Sequence, residues 1–573
     1  MEEYIVTLHN REDLDDFYND METPGGDLYI PDRAVDLQLR RQISRNTHYM
    51  LTPEEVIELE KDPRVMSIES KALIDSIEWK ASGYSESGNW KRNNGVAVTG
   101  DKNWGILRHT IGANAESGTW GDEALSGSTN ISSATVNITA SGKNVDVLIV
   151  DGAITTTAMG HPELAVNADG TGGSRVVPFN WFSLTNQLGY GANGTYDYNT
   201  MGVESDTNHG VHVAGTVAGN TLGWAREANI YSLEFYYTGA VNQVVNSSPL
   251  VPSTLWDYIR EWHNTKPINP ATGRRNPTVS NHSYNGSVSR DSRITNGIYN
   301  GVGIVRYRGV TYDKYGDQGS DLTDAELEAR GIYVPPGGNW TLGYNSNSIN
   351  ADITDAIADG IIVVTSAGNH SQKETNNTGN QDYENYLYLR IGSNTYASII
   401  PSNRTAGISL NEPTINVGTL DGYKDDRKGY WSVCGDGVDI HAAGRQIMSS
   451  QLTSTGATVS DSRNSSFYLT KKSGTSMSSP QVTGVVALLM ESNPGLNQAQ
   501  VNEWLEANAT KDLMYDTGTD SSTDLVSLQG APNRILRWIN QRPESGASFP
   551  KVNAKARPTS GSVYPRPRLR KRG

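Results

Sequence analysis

Gly474-Thr475-Ser476-Met477-Ser478-Ser479-Pro480 runs directly into Gln481-Val482-Thr483-Gly484-Val485-Val486-Ala487-Leu488-Leu489-Met490. Val482, Val485, Val486 and Leu489 recur at i, i+3, i+4 and i+7, so 475–491 reads as a helix with a buried face, stopped by Asn493-Pro494-Gly495. The first turn of such a helix has backbone N–H groups with no intrahelical partner. A serine at that end can be simply an N-cap, the usual job of serine before an apolar run. The same position suits a nucleophile that must create an oxyanion and then hold it.

Two other stretches favour the nucleophile. Asn208-His209-Gly210-Val211-His212-Val213-Ala214-Gly215-Thr216 sets a histidine before small residues, and Val145-Asp146-Val147-Leu148-Ile149-Val150-Asp151 ends an apolar strand on a carboxylate. Acid, base and nucleophile follow one another in the order Asp, His, Ser. On these motifs the chain resembles the subtilases, the subtilisin-like serine proteases, over most of residues 104–510. The resemblance implies an α/β fold, a three-layer subtilisin-like domain with a mainly parallel central sheet. Strands and helices alternate from Val145 onward, as such a sheet requires. Strands are expected at 145–150, 228–235, 277–283, 361–365, 414–418 and 437–441, and helices at 209–219, 253–264, 350–359 and 475–491.

The resemblance also implies roles. Ser476 would be the nucleophile, His209 the general base, and Asp151 the group that orients the imidazole. Asn369, in Val363-Val364-Thr365-Ser366-Ala367-Gly368-Asn369, would complete the oxyanion hole. Ser283, Tyr284 and Asn285, with Ser366, Ala367 and Gly368, would flank an extended substrate peptide by strand addition. Tyr284 and Asn285 stand where the family usually has Leu-Gly, so side-chain specificity does not transfer. Asp151 is followed by Gly152-Ala153 in place of Thr or Ser and then Gly, and His209 by Gly210-Val211, where Thr is common at the second place. Asp146 is the alternative acid but lies inside its strand; Gly160-His161-Pro162-Glu163-Leu164, similar to the family's His-Pro-Asp-Leu, favours Asp151. His212 lacks the HExxH spacing and reads as structural, so no metal ligand is assigned. No cofactor is implied. The short turn at 219–223, where many secreted relatives carry a calcium loop, argues against tight calcium and leaves only weak binding at acid clusters such as 421–426.

The formal charge of −15 is uneven: residues 551–573 hold eight Lys or Arg and no acid, leaving −23 on the remainder. An acidic body repels phosphates, so only the basic, Pro-rich tail 541–573, disordered by composition, suits nucleic acid or an acidic surface. Cys434 is the single cysteine, which excludes an internal disulfide. No apolar run reaches the length of a membrane span, and no membrane partner is expected. The acidic start lacks a secretory pattern, so the expected location is cytoplasmic or particle-borne, as in a virion, and not classical secretion.

Residues 1–77 carry 18 acidic and 8 basic residues in a β-α-β-α-β outline, with a capping box at Thr52-Pro53-Glu54-Glu55. This small α+β, ferredoxin-like segment resembles the inhibitor-type prosegment of subtilases, which implies a self-processing zymogen inhibited by its own prosegment. A permanent accessory domain is the alternative. Residues 78–103 are polar and turn-rich and read as a linker holding the processing site; the catalytic domain is placed at 104–540, with insertions near 286–344 and 371–410. A protease-like assembly protein would be favoured by a missing triad member, and an α/β-hydrolase would place its serine first, in G-x-S-x-G. The chain therefore reads as a serine endopeptidase acting on polypeptides through an acyl-enzyme.

Overall fold

The chain divides into two units, 1–81 and 82–573, in a computed structural model that describes residues 2–30, 45–70, 83–90, 92, 96–111, 135–184, 187–188, 207–234, 252–290, 301–314, 321–344, 347–391, 395–404, 407–408, 413–423, 425–456 and 458–540. In the smaller unit β1 (Glu2–Leu8), α1 (Leu14–Glu22), β2 (Asn46–Leu51), α2 (Pro53–Leu59) and β3 (Val65–Ser70) follow in the expected order. Both outer strands pair antiparallel with β1, in the order β2-β1-β3. Val6, Leu8, Tyr49 and Leu51 meet Leu14 and Phe17 in its core. The capping box forms as read: the Glu55 N–H bonds to the Thr52 hydroxyl and the Thr52 N–H to the Glu55 carboxylate.

The larger unit opens with β4 (Tyr84–Ser87), α3 (Trp104–Ile111), β5 (Thr135–Ile138), β6 (Asp146–Asp151) and β7 (Val176–Pro178). Then come α4 (Thr207–Ala218), β8 (Asn229–Glu234), α5 (Pro252–Thr265), β9 (Thr278–His282), β10 (Ser287–Ser289), β11 (Gly301–Tyr307), β12 (Val310–Asp313), β13 (Thr341–Gly343), α6 (Asn347–Ala358) and β14 (Ile362–Ser366). The remainder is β15 (Tyr386–Ile391), β16 (Thr395–Pro401), β17 (Ile415–Leu420), β18 (Ile440–Ala443), β19 (Ile447–Gln451), β20 (Thr458–Asp461), β21 (Asn464–Lys472), α7 (Thr475–Ser492), α8 (Gln498–Asn508), β22 (Thr510–Lys511) and β23 (Arg534–Ile535).

The main sheet runs β22-β23-β18-β17-β14-β9-β6-β8-β7 and is parallel throughout, save for the β22-β23 pair at one edge. Every residue of β6 is buried. Val147 and Ile149 face a core shared with α4 and α7, whereas Leu148 and Val150 face a second core with α5 and α6. The sheet is thus a middle layer covered by helices on both sides, which is why its strands read as continuous apolar runs. All ten expected elements of this layer form, within a few residues of their expected ends.

Two readings need correction. Within 78–103, the described residues are not a free linker: β4 pairs with β5, Trp90 and Arg92 are fully buried, and Asn103 bonds to Gln481 of α7. Turn-rich composition hid a short strand and a buried tryptophan. The stretches expected as separate insertions, 286–344 and 371–410, fold together. Strands from both form one antiparallel sheet, β12-β11-β15-β16. Val302, Val305, Leu327, Trp340, Leu387 and Leu389 fill its core. The tail 541–573 and residues 78–82 lie outside the described residues. Among the described residues no helix is long and apolar enough to cross a membrane.

Helix α7 crosses Trp224 at Gly484, where an added Cβ would meet the Trp224 Cβ at 2.5 Å. Gly484→Ala is expected to overpack this contact and destabilise the unit by about 1–3 kcal/mol. Urea unfolding should then show a lower midpoint at an unchanged slope.

Candidate active site

The sheet changes direction at β6 and β9: the chain builds outward to β8 and β7 on one side and to β14, β17 and β18 on the other. Loops at the carboxyl ends of such neighbouring strands diverge and leave a crevice. Asp151 is the last residue of β6, Ser283 follows β9 directly, and Ser366 ends β14.

Asp151 is almost fully buried, and its Oδ1 lies 2.7 Å from Nδ1 of His209, in the first turn of α4. The same oxygen accepts the Gly152 N–H at 2.7 Å. Helix α4 comes this near because Gly210 has no side chain: a Cβ there would overlap the Gly152 carbonyl oxygen. Asp146, the alternative acid, sits at the opposite end of β6, bonded to Lys266, Asn229 and Asn276. It therefore takes no part in this crevice.

Ser476 is the second residue of α7 and 9% exposed. Pro480, four residues on, has no N–H to give its carbonyl, and the Ser283 hydroxyl donates instead at 2.9 Å. In return the Ser476 hydroxyl donates to the Ser283 carbonyl at 3.0 Å. The helix end is joined to the β14 turn by Asn369, whose Oδ1 accepts from both the N–H and the hydroxyl of Thr475, each at 2.9 Å. With that oxygen occupied, the amide nitrogen of the exposed Asn369 is the group left for a ligand. Gly368, at φ +118, takes a backbone conformation that other residues rarely adopt, and its N–H reaches the Thr475 hydroxyl at 3.3 Å.

Of the residues expected to flank a peptide, Ser283, Tyr284 and Asn285 follow β9, and Ser366, Ala367 and Gly368 line the facing turn. The Tyr284 side chain packs against the second core. Its hydroxyl lies 2.9 Å from Nδ1 of His282, which stacks on Trp256 and which burial holds at a pKa of about 3. His212 is fully buried, its Nε2 bonds to the Ile447 carbonyl at 2.9 Å, and burial depresses its pKa far below the ordinary value.

Glu163, from the Gly160–Leu164 motif, proves to be the tie for the short 219–223 turn, accepting from Thr221 N–H, the Thr221 hydroxyl and Leu222 N–H. Burial pulls its pKa up, but Arg463 and the Thr221 bonds prevail and hold it at about 2. At 421–426, Asp421, Asp425 and Asp426 are each paired with an arginine, namely Arg445, Arg427 and Arg108, which accounts for their charge. Among the described residues no group of three or more His, Cys, Asp or Glu is placed to hold a metal ion.

Residues 142–531 match the family model of the subtilase family. The chain belongs to that family. Its subtilase domain is 23% identical over 219 residues to Cerevisin of Saccharomyces cerevisiae, an alignment covering 36% of this chain and 28% of that protein. It is 23% identical over 236 residues to Alkaline serine exoprotease A of Vibrio alginolyticus, covering 41% of this chain and 36% of that protein. It is also 27% identical over 147 residues to Subtilisin-like serine protease Rho m 2.0101 of Rhodotorula mucilaginosa, covering 24% of this chain and 38% of that one. The matched stretch thus spans about a third of each relative's length. A cold adapted subtilisin-like serine proteinase of known crystal structure aligns at 18% identity, over 76% of this chain and 100% of its own, at a TM-score of 0.39.

Sequence reading missed the groups that follow the Asn369 turn. His370, whose side chain is buried and held at a pKa of about 4 by that burial, bonds through Nε2 to Glu374 Oε1 at 3.0 Å. Glu374 is fully buried, and burial raises its pKa well above the ordinary 4.5. A raised carboxyl pKa means the native state keeps a proton that the unfolded chain loses above pH 4.5. Stability from this group is complete below that value and is lost as pH rises. Glu374→Gln is expected to raise the melting temperature at pH 7–8, with the gain shrinking to nothing near pH 4, as scanning calorimetry across that range would show.

Proposed function

We propose that the chain is a serine endopeptidase, made as a zymogen, that hydrolyses polypeptides through an acyl-enzyme. The observation that carries this reading is the 2.7 Å Asp151–His209 bond at the mouth of the strand layer that also anchors Ser476 at a helix N-terminus. Asp151 would fix the tautomer with Nδ1–H toward itself and leave Nε2 to accept a proton. On binding of an extended peptide between 283–285 and 366–368, the Ser476 hydroxyl would exchange the Ser283 carbonyl for His209 by turning about one bond.

Its Oγ then attacks the scissile carbonyl carbon while His209 takes the proton. The C=O electron pair moves onto oxygen, which receives hydrogen bonds from Asn369 Nδ2 and the Ser476 N–H. Collapse expels the amine with the proton from His209, and water, activated by the same imidazole, releases the acid. The partners are polypeptide substrates and the chain's own N-terminal unit, proposed as its folding aid and inhibitor until removed.

The test is intact mass and N-terminal sequencing of the purified chain beside Ser476→Ala after incubation at neutral pH. Self-cleavage is expected in the parent chain only, on the N-terminal side of Tyr84, because Tyr84–Ser87 are paired with β5 and Trp90 and Arg92 are buried. If neither protein is cut and casein also survives, the peptidase reading falls. Asn369→Gly should lower kcat on a peptide substrate by about 10²–10³ with little change in KM, a figure established on subtilisin itself.

A further inference from the structure

A cavity of about 410 Å³ opens beside Asn369. One side is formed by Asn369 and His370 of the β14 turn together with Trp431. The other is carried by the inserted segment, through Tyr333, Pro335 and Thr341. One buried side chain joins the two. Gln372, 1% exposed, accepts the Tyr333 N–H at 2.8 Å and donates Nε2 to the carbonyls of Tyr333, at 2.9 Å, and Thr341, at 3.1 Å. Glu374 makes a parallel link two residues on, accepting the Gly343 N–H at 3.4 Å while it holds His370. The short pair β10–β13 then returns the inserted chain to Gly286, directly after the residues proposed to flank a peptide.

These bonds are made to backbone atoms of a segment that the compact sheet does not need. We infer that Gln372 is a positioning residue which straps the inserted segment to the Asn369 turn, so that Tyr333, Pro335 and Thr341 become the wall selecting the side chain seated beside the scissile bond. The inference rests on the peptidase reading above. Every residue lining the cavity is of an uncharged type at neutral pH, His370 included. An ammonium or carboxylate seated there would lose water and find no opposite charge on the lining. Tyr333, Pro335 and Trp431 offer flat apolar faces, so the class admitted is a bulky uncharged side chain, aromatic ones above all.

The test uses fluorogenic tetrapeptides that differ only in the residue before the scissile bond: Ala, Phe, Tyr, Lys or Glu. In the parent chain kcat/KM for Phe and Tyr should exceed that for Ala by ~10-fold or more, and that for Lys or Glu by ~100-fold. Gln372→Ala should cut the Phe-to-Ala ratio by ~10-fold, through KM and not kcat. Tyr333→Ala removes only a half-buried side chain, keeps the strap, and should lower the same ratio. A parent preference for Lys or Glu, or a ratio unmoved in Gln372→Ala and Tyr333→Ala, would overturn the inference. Binding of N-acetyl tetrapeptides ending in Phe or Ala, measured by calorimetry in a Ser476→Ala background, separates the two claims. A Phe preference that Gln372→Ala abolishes, without cleavage by the parent, sinks only the peptidase reading. Cleavage without that preference sinks only this inference.

Discussion

A helix buried on every side leaves its neighbours little freedom. From Thr475 to Met490 every residue of α7 is buried, and even Ser476 keeps only 9% of its surface, and so the sheet, α4 and the turns at its first residues must all fit one position of one helix. The proline inside it sharpens the demand. Pro480 strips the Ser476 carbonyl of its helical donor, and an unsatisfied carbonyl at that depth costs about 1–3 kcal/mol. Ser283 meets that need from the end of β9, and Asn369 meets the Thr475 N–H from the end of β14. The requirements of helix capping alone therefore bring three separate chain segments to one point.

Two buried carboxylates on a single strand show how environment divides labour. Asp146 and Asp151 are equally inaccessible. Asp146 faces Lys266, 2.9 Å away, and two asparagine amides. Such a pair neutralises charge and holds strand ends in register; removing one partner strands the other. Asp151 has an imidazole and one backbone N–H, and its Oδ2 is left without a hydrogen bond. A partner that can gain or lose a proton, beside a carboxylate with unused acceptor capacity, suits the role proposed for Asp151; a permanent cation beside a carboxylate bonded at both oxygens suits a structural one.

What the sequence disclosed and what it withheld follow from the range of the signals. The apolar runs before Asp151 and Asn369, the helical spacing after Ser476 and the Thr52 capping box are local, and each formed where it was read. Non-local pairings left no such trace. Nothing in 301–307 or 386–391 announces that they are neighbours in one sheet, because antiparallel partners 80 to 89 residues apart are specified only by the core they share. Tyr284 illustrates a subtler failure. Its place after β9 could be read, but its rotation onto His282, which in turn stacks on Trp256, depends on how the preceding helix packs against the sheet. Gln372 escaped notice for the same reason: a lone glutamine in a polar stretch carries no pattern until its backbone partners at 333 and 341 are known.

The far end of the main sheet sets a condition on synthesis. Strand β23 aligns with β18 only through His441 and Ile535, and the Leu536 N–H bonds to the His441 carbonyl while the Trp538 N–H bonds to that of His109. The last stitches thus join the first helix of the large unit to residues near its end. A ribosome adding about 5–20 residues per second needs roughly 5–20 s to pass from the end of β18 to Trp538. In that interval the outer edge of β18 has no partner and the His109 carbonyl lacks its Trp538 N–H, which leaves a strand edge open to mispairing.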